Sequence, residues 1–313
     1  MGIKGFIHAQ ITRFISKELR SLQFAIGQGA ILSSRIHSSN FQDLWDAEVK
    51  VYSQWGEDGI LDFLCEKLKI SKPNVIELGS GDFQECNSRF LFENRNANIF
   101  AVDAREDLNS TVTRNNETWK SHLFSKQTWI TPDNINALIV EANEIIGFVD
   151  ILSIDLDGND FWVLKNADLR GIRIVVVEYN PLFGSTFNVT VPRDDAFDRT
   201  IKHSSGLYYG ASIQAFIELL RIKGFTFIGT NRVGNNAFFV ASEFDEMIPI
   251  RPRTDLTVYT DWRIREARSD SGELSLSSGL NRLTEISTLE LVNPSNGKLM
   301  SVQAAYFGSL KDL

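Results

Sequence analysis

Three acids fall within six residues in Ser153-Ile-Asp155-Leu-Asp157-Gly158-Asn159-Asp160. Carboxylates that close repel one another unless a proton, a cation or helix N-terminal amides offset the charge. Groups under that constraint suit a general base, a divalent-metal site or a polar floor beneath a bound donor. Asp155 and Asp157 are therefore candidate bases, and Asp155, Asp157 and Asp160 candidate ligands of a metal such as Mg²⁺. The plainer reading is helix capping by Asp157 or Asn159, with Gly158 supplying the turn. Another acid, Glu178, closes the run Ile172-Arg-Ile-Val-Val-Val-Glu178 and precedes Tyr179 and Asn180. If that run neighbours the one ending at Asp155, Glu178 faces the same cleft as a further candidate base. Tyr179 and Asn180 then either orient a hydroxyl substrate or anchor the segment that follows. His203, within that segment, is either a substrate contact or an exposed loop histidine.

A second group is Asn74-Val-Ile-Glu77-Leu-Gly79-Ser80-Gly81-Asp82. A short apolar run ends in an acid and passes at once into a Gly-x-Gly turn, which lets backbone approach a ligand closely. The next apolar run closes on Asp103, twenty-two residues past Gly81, where an acid can take the two hydroxyls of a ribose. Together these read as an adenosine site. The third glycine of a dinucleotide fingerprint falls at Gln84, which argues against NAD. A shorter Gly-x-Gly after an acidic strand end suits S-adenosylmethionine (SAM), which has no pyrophosphate. Asp103 can also cap the helix that follows, and the two roles are compatible.

The elements that must position these groups alternate. Residues 74–79, 97–103, 122–130, 149–155 and 172–178 read as strands, and their β-branched runs suit a parallel sheet covered on both faces. Helices are expected over 87–94 with Asn87 as cap, 106–117, 132–146 and 161–167. Residues 180–210 lack periodicity, and a loop that long is usually functional. A helix over 212–223 ends at Gly224, and 225–229 with 237–241 reads as a hairpin at the sheet edge. Upstream, Glu57 and Asp58 stand at the start of a helix to about 68, where acids suit its dipole.

At 313 residues, with 43% apolar residues and 22 Phe, the chain can bury one large core. Its net charge of −8 disfavours nucleic acid as a partner. Residues 1–40 carry +4 and the remainder −12. Two cysteines, Cys65 and Cys86, form neither a disulfide framework nor a zinc cluster, which fits a cytoplasmic setting. Residues 3–26 place apolar side chains at helical spacing with basic residues between them. They read as a core-packing or homo-oligomer-forming helix, as an interfacial helix touching a membrane, or as a targeting segment without a clear cleavage pattern.

Three blocks resemble the FkbM-type methyltransferases, a family of the class I SAM-dependent fold. Ser53-Gln54-Trp-Gly56-Glu57-Asp58 looks like the family's leading element, and Val75 to Gly81 like its SAM motif. Ile151 to Ala167 is similar to its Ile-Asp-x-Glu-Gly-x-Glu-x-x-Val-Leu-Lys-Gly-Ala segment. The resemblance covers about residues 50–242. Ser153 replaces the usual Lys, and Asp157 and Asp160 replace glutamates. The resemblance implies a Rossmann-like, doubly wound sheet of seven strands, six parallel and one antiparallel. It implies SAM held by Glu77, Gly79, Ser80, Gly81 and Asp103, with adenine near 129–131. The implied activity is O-methylation of a sugar, glycan or other hydroxylated metabolite. Expected divisions are a basic helical extension at 1–45, the SAM domain at 46–245 and an appendage at 246–313, anchored by Trp262 and Leu291. Two alternatives stay open. Asp155-x-Asp157 also resembles the metal-binding pair of nucleotide-sugar glycosyltransferases, and a non-catalytic scaffold on the same fold would not bind SAM.

Overall fold

The computed structural model describes residues 41–115, 121–250 and 267–308, with scattered positions between 25 and 35. The β-branched runs form strands β1 (Asn74–Leu78), β2 (Asn98–Asp103), β3 (Leu123–Gln127), β4 (Ile151–Ile154) and β5 (Ile174–Glu178). Helices α1 (Glu57–Lys67), α2 (Arg89–Arg95), α3 (Leu108–Asn115), α4 (Ile135–Ile146) and α5 (Asp160–Asn166) alternate with them. There follow α6 (Arg199–Lys202), α7 (Ile213–Ile222), β6 (Phe225–Thr230) and β7 (Asn236–Ala241). The seven strands lie in the order β3-β2-β1-β4-β5-β7-β6. β7 runs antiparallel to both its neighbours and the other pairs are parallel, so the doubly wound, mostly parallel sheet expected from the sequence is present. The hairpin β6–β7 forms one edge, with β7 on the inside.

Alternation along each strand divides the core into two faces. Ile76, Leu78, Leu152 and Ile154 pack beneath α4, α5 and α7. Val75, Ile151, Ile174 and Val176 face the opposite way, against α1 and α2. Strand order reverses between β1 and β4, and such a reversal opens a crevice at the carboxyl ends of those strands. Gly79, Gly81, Asp103, Asp155 and Asp157 lie at that crevice.

Three local readings change. Helix α2 starts after Ser88, and Asn87 instead donates its amide to Ser153 Oγ at 3.1 Å. β3 ends at Gln127, where its partner β2 also ends at Asp103 and the Thr128 amide makes the last ladder bond to the Asp103 carbonyl. The stretch 180–210 is no open loop. Phe183, Val191, Leu207 and Tyr209 are buried with Leu291, Val302 and other residues of 267–307 in a third core cluster. That C-terminal part carries α8 (Asn281–Glu285), β8 (Glu290–Val292), β9 (Leu299–Ser301) and α9 (Val302–Tyr306). Leu291 is fully buried there. Trp262, and residues 3–26 apart from Ala25, lie outside the described residues. Among the described residues no helix is long and apolar enough to cross a membrane.

Candidate functional site

Two glycines shape the turn after β1. Gly79 has φ +85, and a Cβ there would stand 1.7 Å from the Asp155 carbonyl oxygen. Only glycine lets the ends of β1 and β4 meet this closely. Its amide donates to the Val102 carbonyl at 2.9 Å. Gly81 has φ +56 and donates to Asp103 Oδ2 at 2.8 Å, and a Cβ on it would meet nothing within 4 Å. Asp103 Oδ1 accepts from the Arg105 amide at 2.9 Å, so this carboxylate fixes two turns at once. The Ser80 side chain is buried, with its amide on Val102, so only its backbone belongs to the turn.

Glu77 lies buried beneath the turn. Its Oε1 accepts from the Asn87 amide and from Ser153 Oγ, both at 3.2 Å. Its Oε2 has no hydrogen-bond partner among the described residues, and burial pushes the carboxyl up to about 7.

The acids converge as strand order dictates. Asp155, Asp157 and Glu178 each bring a carboxylate oxygen within 4.8 Å of the others. Burial first, and repulsion from Asp157 next, raise Asp155 well above the usual carboxylate range. Glu178 is raised by burial and then by Asp155. Two carboxyls so placed resist ionising together. Asp157 is exposed, has φ +52 and pairs with Arg199 Nη1 at 2.8 Å. The Arg199 guanidinium also lies 3.9 Å over the Tyr209 ring. The three oxygens form a donor set of the kind that hard divalent cations take. Asp160, expected among those ligands, is turned away from them. Its oxygens accept from the amides of Leu156 at 2.7 Å and Gly158 at 3.0 Å, and burial raises it to about 6.

Two cavities adjoin at this edge. The first, about 320 Å³, is lined by Gly79, Gly81, Asp103, Asp155, Trp129 and Ile130, among others. The second, about 480 Å³, shares Trp129, Leu156, Asp157 and Phe197 with the first and continues to Arg199 and Arg268. Of the stretch 129–131 expected near adenine, Trp129 and Ile130 line the first cavity and Thr131 does not. Phe197 and Arg268 carried no pattern that marks them, although Phe197 falls in the long segment flagged as functional.

Three expected substrate contacts stand elsewhere. Tyr179 is fully buried in the core with Val175 and Val177. Asn180 is also fully buried. Its Nδ2 donates to the carbonyls of Leu207 and Tyr209, both at 3.0 Å, so it anchors the long segment. His203 Nδ1 bonds Ser205 Oγ at 2.7 Å, outside the lining of both cavities. The leading Ser53–Asp58 element is a clamp. Asp58 Oδ2 accepts from the amides of Val51, Tyr52 and Ser53 at 2.7, 2.6 and 2.9 Å. Glu57 Oε2 takes the amides of Trp55 and Gly56, and its Oε1 takes Asn231 Nδ2 at 2.6 Å and Asn236 Nδ2 at 2.9 Å.

No family model and no curated protein matches the chain. Solved structures resemble it at low similarity. A Galdieria sulphuraria protein assigned as a sarcosine dimethylglycine methyltransferase is 12% identical over 54% of this chain and 60% of its own, with TM-score 0.34. TehB from Haemophilus influenzae is 14% identical over 59% and 67%, with TM-score 0.34. A Listeria monocytogenes protein assigned as a SAM-dependent methyltransferase is 15% identical over 56% and 97%, with TM-score 0.32. The chain thus spans 60% of the Galdieria protein's length. At these values the likeness says nothing of activity, and function has to be argued from the chain's own residues.

Proposed function

We propose that this chain is a SAM-dependent methyltransferase acting on a hydroxyl of a sugar, glycan or similar hydroxylated metabolite. One observation carries the reading: the Gly79–Gly81 turn, Asp103 and Asp155 line a single cavity at the sheet's reversal point. The residues present fit the cofactor. Gly81 leaves open space where a side chain would stand, and Asp103 keeps lone pairs for ribose hydroxyls. Trp129 and Ile130 supply apolar walls for a base. Glu77, buried beneath the turn, offers an acceptor to an amino group through water. When bound, SAM supplies a methyl group on a sulfonium, open to in-line displacement.

The chain's contribution is alignment and proton removal. Orienting two reactants can contribute several kcal/mol, roughly 7–11 at the limit. An alcohol must also lose its proton as its oxygen attacks, and Asp155 or Glu178 accepts it when the pair is ionised. Arg199 favours that ionised form of Glu178. Asp155, Asp157 and Glu178 also fit a divalent cation such as Mg²⁺, which would polarise the acceptor oxygen. A glycosyltransferase would use the same cation but leaves the glycine turn and Asp103 without a role.

Calorimetric titration with SAM and S-adenosylhomocysteine, with and without Mg²⁺, tests this reading. Binding is expected for both wild type and Asp155→Asn, while Asp155→Asn loses methyl transfer to a panel of sugars. No binding at high micromolar ligand removes the proposal, and wild-type turnover in Asp155→Asn removes the assigned base.

A further inference from the structure

The second cavity adjoins the donor cavity at Asp157 but lies on the side away from the glycine turn. Its outer wall is polar, with Thr200, Ser204, Ser205 and two guanidinium groups, Arg199 and Arg268. Trp129 and Phe197 present rings on the shared side. Hydroxyl side chains and aromatic residues lining one cavity suit a ligand with a polar rim and apolar faces, as a pyranose has. A volume of about 480 Å³ admits a small glycoside.

The charges around this cavity are not equally available. Arg199 is committed to Asp157. Asp198 is occupied as the cap of α6, accepting from the Thr200 and Ile201 amides at 2.8 and 3.1 Å. Asp270 accepts from Ser204 Oγ at 2.6 Å. Unlike Arg199, Arg268 makes no ion pair with a described residue, and its Nη1 donates to the Gly272 carbonyl at 2.8 Å. Its backbone is nevertheless fixed, because its amide donates to the Ser205 carbonyl at 3.1 Å and it bridges to Leu274. A positioned guanidinium with donors to spare recognises carboxylate or phosphate in a planar fork.

We propose that the second cavity takes the methyl acceptor as an anionic sugar, with its carboxylate or phosphate paired to Arg268. This rests on the methyltransferase reading of the first cavity. It makes the C-terminal segment a working wall of the acceptor site.

The test is binding of D-glucuronate, glucose 6-phosphate and glucose to the full chain with S-adenosylhomocysteine present, followed by saturation-transfer NMR and calorimetry. Wild type should bind at least one acidic sugar about tenfold or more tightly than glucose. The stronger acidic arm tells carboxylate from phosphate. Arg268→Gln should abolish the preference and Arg268→Lys keep part of it, with S-adenosylhomocysteine affinity unchanged in both. Equal binding of all three sugars, binding of none, or an undiminished preference in Arg268→Gln overturns the proposal. If acidic sugars are preferred but S-adenosylhomocysteine does not bind, the methyltransferase reading fails and the anion site stands.

Discussion

Replacing Gly79 by alanine probes how the donor turn is built, and the structure sets the size of the effect. At φ +85 an L side chain costs about 1–2 kcal/mol. The new Cβ would also stand 1.7 Å from the Asp155 carbonyl oxygen and 2.8 Å from its carbon. Both atoms are backbone and cannot rotate aside. The Asp155 amide is itself bonded to the Leu78 carbonyl at 2.9 Å. Relief therefore parts β1 from β4 and loosens that bond and the one from Gly79 to Val102, each worth about 1 kcal/mol net. The total is about 3–4 kcal/mol, at the severe end for one substitution. Gly81→Ala is the control. It shares the positive φ but meets nothing within 4 Å, so only the same conformational cost of about 1–2 kcal/mol applies. Urea unfolding of the two variants should separate them by about 2 kcal/mol or more. Equal losses, or a Gly79→Ala variant within about 1 kcal/mol of wild type, would refute the close-approach argument.

Arg199→Ala removes the positive charge that favours ionised Glu178, so Glu178 should keep its proton to higher pH. The acidic limb of the pH–rate profile then moves upward, and an unmoved limb would count against Glu178 in the reaction. Glu77 rises from 4.5 to about 7 on folding. A raised acid adds stability that is fully present below its unfolded pKa and is lost as pH rises through the folded value, here about 3 kcal/mol. Glu77→Gln should flatten that loss, gaining on wild type between about pH 5 and about pH 8. Parallel urea midpoints for the two proteins across that range would refute it.

The frame was legible because buried β-branched runs are unambiguous when acids or glycines close them. Asp155 and Glu178 meet because their strands are neighbours, a relation that the sequence stated only conditionally. Tyr179 shows information present but unused. Period two puts 175, 177 and 179 on one face, so a core position follows from Val175 and Val177. Asp160 misled for a different reason. Its carboxylate reaches back to amides two and four residues earlier, which disposes of charge without bringing it to the cluster. Glu57 and Asp58 suit a helix dipole by position alone, and the partners that redefine Glu57 lie on the far hairpin. Arg268 was invisible because residues 267–308 are held by tertiary contacts and carry no periodic pattern.

The Glu57 clamp bears on the order in which this protein can be completed. Its two asparagine partners lie 174 and 179 residues downstream. A nascent chain that has reached β5 has made the helix start but not the two side-chain amides that hydrogen-bond its buried carboxylate. The first helix and the last strand therefore become final in the same event. A fragment cut before the edge hairpin would lose two strands of the sheet and loosen the Trp55–Glu57 corner that is bonded to them. The sheet domain has no dispensable edge on that side, and the hairpin also reaches the proposed site, because Asn236 of β7 pairs in register with Glu178.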